Sequence, residues 1–196
     1  MVSISLSLSL LLVSWSMATA STDQVSTSFI RTSCSRTLYP DLCYSSLSPY
    51  ASQVGHDLVL LARFAMNVTV GSLKPVSSYI ASALRRTPSS SSDQEVAALK
   101  DCSELISDAT DQVKKSEKEV TGLEGLVGPQ VTWRIGNAQT WLSAAITDET
   151  TCTDGFGDGS GGAGEDVEME VRQKVKKAKQ LSSISLALVN GLVNHR

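Results

Sequence analysis

A chain of 196 residues with a formal net charge of −3 is long enough for one packed domain, and its charge is too mild to favour nucleic-acid binding or a disordered charged tail. Aromatic residues make up only 5% of the sequence. Alanine, serine, leucine and valine dominate instead, a composition that favours packed helices over sheets.

The first twenty residues carry no charged side chain and end in Ala18-Thr19-Ala20, a sequence that suits signal peptidase. The densest apolar run, Leu8 to Val13, is much shorter than the about 20 residues needed to span a bilayer. We therefore predict that residues 1–20 are a secretory signal cleaved after Ala20 and that residues 21–196 form the mature, secreted domain. A retained membrane anchor is the alternative interpretation.

Two regions are predicted within the mature chain. Residues 21–52 contain two short helical segments that meet near Tyr39-Pro40, which predicts an N-terminal helical hairpin. Residues 53–196 contain four long segments in which apolar residues recur every three or four positions, the spacing of an amphipathic helix. Gly, Pro and Ser residues separate these segments, and each connection is short. The sequence therefore predicts an all-α, up-down-up-down four-helix bundle.

The apolar stripes define the predicted core face of each bundle helix. The first helix, at about residues 57–86, has a stripe that includes Val68 and Ser72, and Pro75 is expected to kink it. The second opens at a capping box that begins at Ser92. The stripe of the third includes Glu149 and ends at Cys152.

Four cysteines in a secreted chain imply two disulfides, for which three pairings exist. The midpoint of Cys102 and Cys152 falls in the Gly/Pro-rich loop between the second and third bundle helices, so antiparallel folding places these cysteines opposite each other. The midpoint of Cys34 and Cys43 falls at the corner of the hairpin. We therefore predict the disulfides Cys34–Cys43 and Cys102–Cys152.

No catalytic constellation emerges from the sequence. A nucleophilic cysteine needs a nearby base, but the two histidines are His56, ahead of the bundle, and His195, the penultimate residue. No Gly-x-Ser-x-Gly elbow is present. The acids Asp148, Glu149 and Asp154 are separated by helical spacing, so we predict that they are solvated rather than an acid/base pair. The sequence predicts no enzyme.

The glycine-rich segment from Asp154 to Glu165 matches a calcium loop at four positions only. Phe156 and Gly162 stand where oxygen ligands are required. Its Gly-x-Gly-x-x-Gly letters follow no strand, so they do not predict a dinucleotide site. We interpret the segment as a linker and predict no metal and no cofactor.

Two surface features remain. A basic run on the last helix is interpreted as a solvated face, with Glu168–Arg172 and Glu170–Lys174 spaced as i,i+4 ion pairs; it consists of Arg172, Lys174, Lys176, Lys177 and Lys179. The tripeptide Asn67-Val68-Thr69 is an N-glycosylation sequon, with Asn67 opposite the apolar stripe.

Three segments of the sequence carry a specific resemblance, and they contain all four cysteines: FIRTSCSRTLYPDLCYSSLSPYA (29–51), ALKDCSELISDATDQV (98–113) and TWLSAAITDETTCTDGF (140–156). A weaker match is QLSSISLALVN (180–190). In these segments the chain resembles the plant invertase/pectin methylesterase inhibitor family.

The resemblance implies a four-helix bundle with an N-terminal hairpin, the same two disulfides, and a protein inhibitor rather than an enzyme. One branch of the family blocks the substrate cleft of pectin methylesterase in the cell wall (apoplast), and the other inhibits acid invertase. The segment 140–156 is similar to the pectin methylesterase branch, and the Pro-Lys-Phe motif of invertase inhibitors is absent. Acid invertase stays the alternative target, and a non-inhibitory, pectin-binding wall protein stays a further one.

For such an inhibitor, the sequence predicts a partner-binding face on the second and third bundle helices. The side chains of this face are polar and short. They would contact a substrate cleft whose own groups bind sugar hydroxyls. A monomer would dock as a rigid body. The predicted residues are Glu104, Ser107, Asp108, Asp111, Asn137, Thr140, Thr147, Asp148 and Thr151.

Overall fold

The computed structural model describes residues 24–87, 93–156 and 165–193. In this part of the chain the regular structure is entirely helical. Helix α1 covers residues 24–34. The others are α2 (Pro40–Leu47), α3 (Ala51–Val54), α4 (Leu58–Arg86), α5 (Asp93–Thr121), α6 (Pro129–Asp154) and α7 (Glu165–Val193), with a 3-10 turn at Ser48–Tyr50. No helix among these is long and apolar enough to cross a membrane.

The four long helices form a closed bundle in which α4 contacts α5 and α7, and α6 also contacts α5 and α7. Polar pairs give their directions. Thr69 of α4 meets Ser185 of α7, whereas Leu58 lies beside Gly191. Glu149 of α6 meets Ser182 of α7, and Gln139 meets Asn190.

In each case the residue that comes earlier in α4 or α6 contacts the residue that comes later in α7. Helix α7 is therefore antiparallel to α4 and to α6. In the same way, α5 is antiparallel to α6, because Cys102 bonds Cys152 and Ser116 meets Ala138. The predicted up-down-up-down bundle is confirmed.

Local signals fix where the helices begin. The Asp57 carboxylate caps α4 by accepting from the backbone N–H groups of Val59 (2.7 Å) and Leu60 (3.1 Å). Helix α6 starts with Pro129 directly after Gly128, whose φ of 67° suits glycine. The predicted capping box at Ser92 lies outside the described residues.

The buried stripes of α5, α6 and α7 follow the predicted periodicity, but the stripe of α4 is shifted. Thr69 and Leu73 are fully buried, whereas Val68 and Ser72 are only half-buried. The hydroxyl of Thr69 is satisfied by the Ala65 carbonyl at 2.9 Å and by the Ser185 hydroxyl at 3.0 Å. Helix α4 also packs against α2 and α3, so it buries more of its circumference than a helix with one core face.

Helix α4 continues without a break through Pro75, which lies on its exposed side. The kink expected at Pro75 stays a prediction.

Both predicted disulfides are present: Cys34–Cys43 closes the hairpin, and Cys102–Cys152 joins α5 to α6. All four cysteines are therefore oxidised, and no thiolate is available for catalysis. Ring contacts attach the hairpin to the bundle. Tyr50 stacks on Phe64 with 4.8 Å between ring centroids, and Phe29 meets His56 edge-on at 5.6 Å.

Candidate functional site: the outer face of α5 and α6

The predicted residues of α5 form one exposed row. Glu104, Ser107, Asp108 and Asp111 are all solvent-exposed, because Ile106 and Ala109 of the same helix point into the core. Asp111 is paired with Lys114 at 3.0 Å, an exposed i,i+3 contact that contributes little to stability. The α5 row therefore presents mainly carboxylates to solvent.

The predicted residues of α6 form a second row, in which Thr140, Thr147 and Thr151 are exposed and Asn137 is half-buried. Each threonine hydroxyl donates to the carbonyl of the residue four positions earlier, at 2.9, 3.1 and 2.9 Å respectively. Their protons are thus engaged within the helix, and the oxygen lone pairs face outward as acceptors. Together the two rows form a surface rich in hydrogen-bond acceptors.

Asp148 departs from the predicted outward position. It is half-buried where α6 meets α5, and its Oδ2 accepts no hydrogen bond within the part of the chain that the structure describes. Burial raises the pKa of this carboxyl above its usual value; a hydrogen bond from Gln112 lowers it, and the charge of Asp108 raises it. Asp148 and Asp108 therefore link the two rows as neighbouring acids.

Glu149 corrects the prediction that the acids of this segment are solvated. Its side chain is 0% exposed, and Ser182 of α7 donates to its Oε1 at 2.8 Å. Burial raises the pKa of Glu149 from 4.5 to about 8; the Ser182 hydrogen bond and the charge of Lys179 lower it, and Asp148 raises it slightly. Glu149 occupies a buried position in the apolar stripe of α6, so it is not exposed on the outer face.

Asp154, unlike Glu149, is solvated as predicted. It is the last residue of α6 and is exposed, so it stands outside any acid pair with Glu149.

An aromatic part of this face was not predicted from the sequence. Lys115 of α5 lies 4.7 Å above the ring of Trp141, and Arg134 pairs with Glu119 at 3.1 Å. Trp133 lies at the surface, four residues before Asn137 and seven before Thr140, so it shares the α6 row. That helical spacing was the signal available in the sequence. We call Glu104, Asp108, Asp111 and Asp148 the acidic end, and Trp133, Trp141 and Lys115 the aromatic end.

Comparison with known proteins assigns the family. The sequence model of one family, described as plant invertase/pectin methylesterase inhibitor, matches residues 28–188. The chain belongs to this family. The family is one of inhibitors of pectinesterase or invertase rather than of enzymes, and relatives named pectinesterase inhibitors match this chain.

Individual relatives match over most of their length. The chain is 37% identical to "Pectinesterase inhibitor 9" of Arabidopsis thaliana, over 86% of this chain and 82% of that protein. It is 38% identical to the "21 kDa protein" of Daucus carota, over 83% and 82%. It also matches 26% of the length of "Pectinesterase 3" of Phaseolus vulgaris at 27% identity, so that similarity covers one part of a larger protein.

Solved inhibitors of this family share the fold. A crystal structure of a pectin methylesterase inhibitor from Arabidopsis thaliana superposes with a TM-score of 0.55 at 18% identity, covering 83% of this chain and 95% of that one. A mutant form of an Arabidopsis inhibitor gives a TM-score of 0.60 at 17% identity, covering 80% and 92%.

Other candidate sites gain no support. Within residues 24–87, 93–156 and 165–193, no three His, Cys, Asp or Glu side chains are grouped so that they could hold a metal ion. The central part of the glycine-rich segment lies outside the described residues. On α7, Arg172 pairs with Glu168 at 2.7 Å and Lys174 with Glu170 at 2.9 Å, the predicted i,i+4 pairs.

One apolar pocket is separate from the outer face. It has a volume of about 700 Å³ and lies between α1, the start of α4 and the end of α7, and none of its lining residues is a predicted one. Its walls include Phe29, Leu58 and Leu192. Asn67, on the exposed side of α4, is accessible for a glycan; its glycosylation stays a prediction.

Proposed function

We propose that this chain is a secreted inhibitor that binds pectin methylesterase non-covalently and covers its substrate cleft with the outer face of α5 and α6. Family membership and the match to proteins named pectinesterase inhibitors support the choice of target. The observation that carries the binding mode is the acceptor-rich face itself. Carboxylates line α5, and threonine oxygens with outward lone pairs line α6.

Charge complementarity supports pectin methylesterase as the partner. The methyl-esterified substrate of this enzyme is neutral at the reacting group and its product is a uronate, so we expect a cleft that binds both to offer hydrogen-bond donors and some positive charge. The acidic end of the inhibitor offers the matching acceptors and negative charge. Acid invertase acts on a neutral sugar, and its cleft has less need of cationic groups. An acidic face therefore favours pectin methylesterase over acid invertase as the partner.

The bundle is suited to occlusion because its binding face is built on two long helices rather than on loops. The disulfide Cys102–Cys152 and the hydrogen bond from Ser116 Oγ to the Ala138 carbonyl (2.9 Å) hold α5 against α6. Few backbone degrees of freedom are lost when such a surface docks. Inhibition then follows from exclusion of the polymer, with no bond made or broken.

The basic run of α7 offers weaker support for a pectin-binding wall protein. The side chains of Arg172 and Lys174 are engaged with acids of their own helix, and Lys174 also lies 5.4 Å from the centre of the Tyr79 ring. Their charge is largely compensated locally, whereas a polyuronate-binding surface needs uncompensated cations.

Titration of recombinant residues 21–196 against purified pectin methylesterase and against acid invertase tests the proposal. We expect saturable inhibition of pectin methylesterase with one-to-one stoichiometry and no inhibition of invertase. A double substitution Asp108→Lys/Asp111→Lys should weaken inhibition strongly, whereas Lys176→Glu/Lys177→Glu on α7 is the matched control. Salt-sensitive pectin binding without inhibition of either enzyme would overturn the proposal.

A further inference from the structure

Trp133 is the one tryptophan of the described residues that is mostly exposed: 73% of its surface is open to solvent. Trp141, on the same helix, is half-buried and lies beneath Lys115, so it has an internal structural partner. Within residues 24–87, 93–156 and 165–193, no such contact is found for Trp133. Exposure of a large apolar ring is unfavourable in an isolated protein, and tryptophan is enriched among residues that dominate binding energy at interfaces.

The position of Trp133 is fixed by the helix that carries it. Val131 and Ile135, two residues on either side, are buried in the core and hold the first turns of α6 in register. Because side chains two apart on a helix point in very different directions, burial of these two turns Trp133 outward. The ring is therefore presented by a rigid support.

Trp133 belongs to the same surface as the proposed binding face. It lines a shallow groove together with Gly136, Asn137 and Thr140, two of which are predicted partner-binding residues. Gly136 leaves the groove open, because a Cβ at this position would meet no atom within 4 Å. The aromatic end and the threonine oxygens of α6 thus form one continuous docking surface.

We propose that Trp133 is the apolar anchor of the complex, and that it enters an apolar recess of pectin methylesterase beside the substrate cleft. This inference rests on the proposed function. It assigns specificity to two parts of the face: the acidic end meets donors in the cleft, and the ring fixes the inhibitor's position along it. Anchors of this kind are buried in the complex and surrounded by weaker contacts that exclude water.

Charge argues against the other two occupants of this groove. A galacturonan chain laid along α6 from Trp133 would run beside Asp108, Asp111 and Asp148, and would be repelled by them. A second copy docked face to face about a two-fold axis parallel to α6 would bring two acidic ends together. An enzyme whose cleft accepts a uronate polymer meets neither repulsion.

The first test measures the affinity of Trp133→Ala for pectin methylesterase. We expect a dissociation constant raised by at least about 30-fold, the effect of truncating a dominant interface residue. Trp133→Phe should recover part of the affinity. The matched control is Leu38→Ala in the hairpin, where the side chain is 74% exposed and lies outside the proposed face. It should change affinity less than about twofold, within the small effects typical of contacts outside an interface.

Fluorine NMR provides an independent readout. In recombinant residues 21–196 the tryptophans are Trp133 and Trp141, so 5-fluorotryptophan labelling gives two signals, assigned by Trp141→Phe. Addition of unlabelled enzyme should shift the Trp133 signal and abolish its solvent-isotope shift. Unchanged circular dichroism and thermal unfolding of Trp133→Ala would show that the fold is intact.

Three results would overturn this inference. If wild-type protein inhibits the enzyme and Trp133→Ala inhibits equally well, the anchor is wrong and the proposed function stands. If the Trp133 signal responds to galacturonan without enzyme, the occupant is the polymer. If it shifts with protein concentration alone, the occupant is a second copy. Failure of the wild-type protein to inhibit would instead reject the proposed function itself.

Discussion

Asp148 and Glu149 are consecutive carboxylates on one helix, yet they belong to two different regions of the molecule. Asp148 lies at the seam between α5 and α6, half-buried and beside Asp108. Glu149 lies at the seam between α6 and α7, fully buried and bonded to Ser182. One helical step of about 100° separates the outer seam from the inner one. A prediction from residue type alone gives both carboxylates the same environment, so it is wrong for at least one of them.

The two seams use carboxylates in opposite ways. At the inner seam, Glu149 belongs to a set of buried polar contacts that also contains Thr69–Ser185, and these contacts fix how α7 pairs with its neighbours. At the outer seam, Asp148 keeps access to solvent, as the proposed binding role requires. The contrast predicts that substitutions at the inner seam change folding, whereas substitutions at the outer seam change binding.

The largest expected effect is a change in the pH dependence of stability at Glu149. Its folded pKa, about 8, lies above 4.5, so the folded state holds a proton that the unfolded state has lost. Stability should be highest below pH 4.5 as far as this group is concerned, and should fall by roughly 3–5 kcal/mol between pH 4.5 and about 8.

Glu149→Gln should remove most of this fall, as measured by urea unfolding at a series of pH values. Glu104→Gln, the same change at an exposed site of α5, serves as control. Parallel pH profiles for wild type and Glu149→Gln would contradict an ionisable group at the inner seam.

Removal of the disulfide between α5 and α6 should act mainly on global stability. Cys102 and Cys152 close a loop with a sequence separation of 50, worth about 4 kcal/mol in the chain-entropy model. We expect Cys102→Ala/Cys152→Ala to lower the free energy of unfolding by about this amount. Cys34→Ala/Cys43→Ala, which opens a separation of 9, should cost about 2.5 kcal/mol. Equal losses for the two pairs would argue against this loop-length account.

Ser182→Ala should have a smaller effect at the same inner seam. It removes the donor to Glu149 Oε1 and leaves a buried carboxyl oxygen without its partner, at a cost of about 1–3 kcal/mol. Because that hydrogen bond lowers the pKa of Glu149, its loss should also extend the fall in stability to higher pH. Ser183→Ala, one position further along α7 and less buried, is the control. An unchanged free energy of unfolding for Ser182→Ala would show that the Ser182–Glu149 hydrogen bond does not stabilise the fold.

Asp148→Asn should produce the smallest change in stability, within about 0.5 kcal/mol, because the side chain retains solvent contact. The raised pKa of Asp148 makes any change a slight stabilisation at neutral pH, where the wild-type side chain is charged beside Asp108. Affinity for pectin methylesterase should nevertheless fall. A large loss of stability with unchanged inhibition would reverse the assignment of the two seams.

Periodicity was sufficient for much of this fold, since apolar residues at helical spacing identified four long helices, and equal distances from a glycine-rich turn identified the disulfide partners. It was less reliable on α4. There, Thr69 and Leu73 are buried where Val68 and Ser72 were expected, and Thr69 meets Ser185 of α7, while α2 and α3 pack against the same helix. Apolar character along one helix does not record how many neighbours that helix has.

In the proposed binding face, too, some features followed from helical spacing and others did not. Exposure of Glu104, Thr140 and Thr151 followed from helical phase, which depends only on spacing. The half-burial of Asp148 did not, because it depends on how closely α5 approaches α6. The helical spacing of Trp133 placed it on the same face as Asn137 and Thr140. An aromatic residue is usually assigned to the core, however, and only the tertiary structure shows that this one lies at the surface.

The sequence by itself determined the helical class, the order of the helices, both disulfides and the family, because spacing, turn residues and cysteine positions are properties of the chain. The tertiary structure alone decided which polar groups are removed from water. Glu149 is fully buried and Asp148 stays partly exposed because desolvation is set by the atoms that neighbouring helices bring. For Glu149 these include atoms of α7, where Ser182 is 33 positions away along the chain; for Asp148 they include atoms of α5.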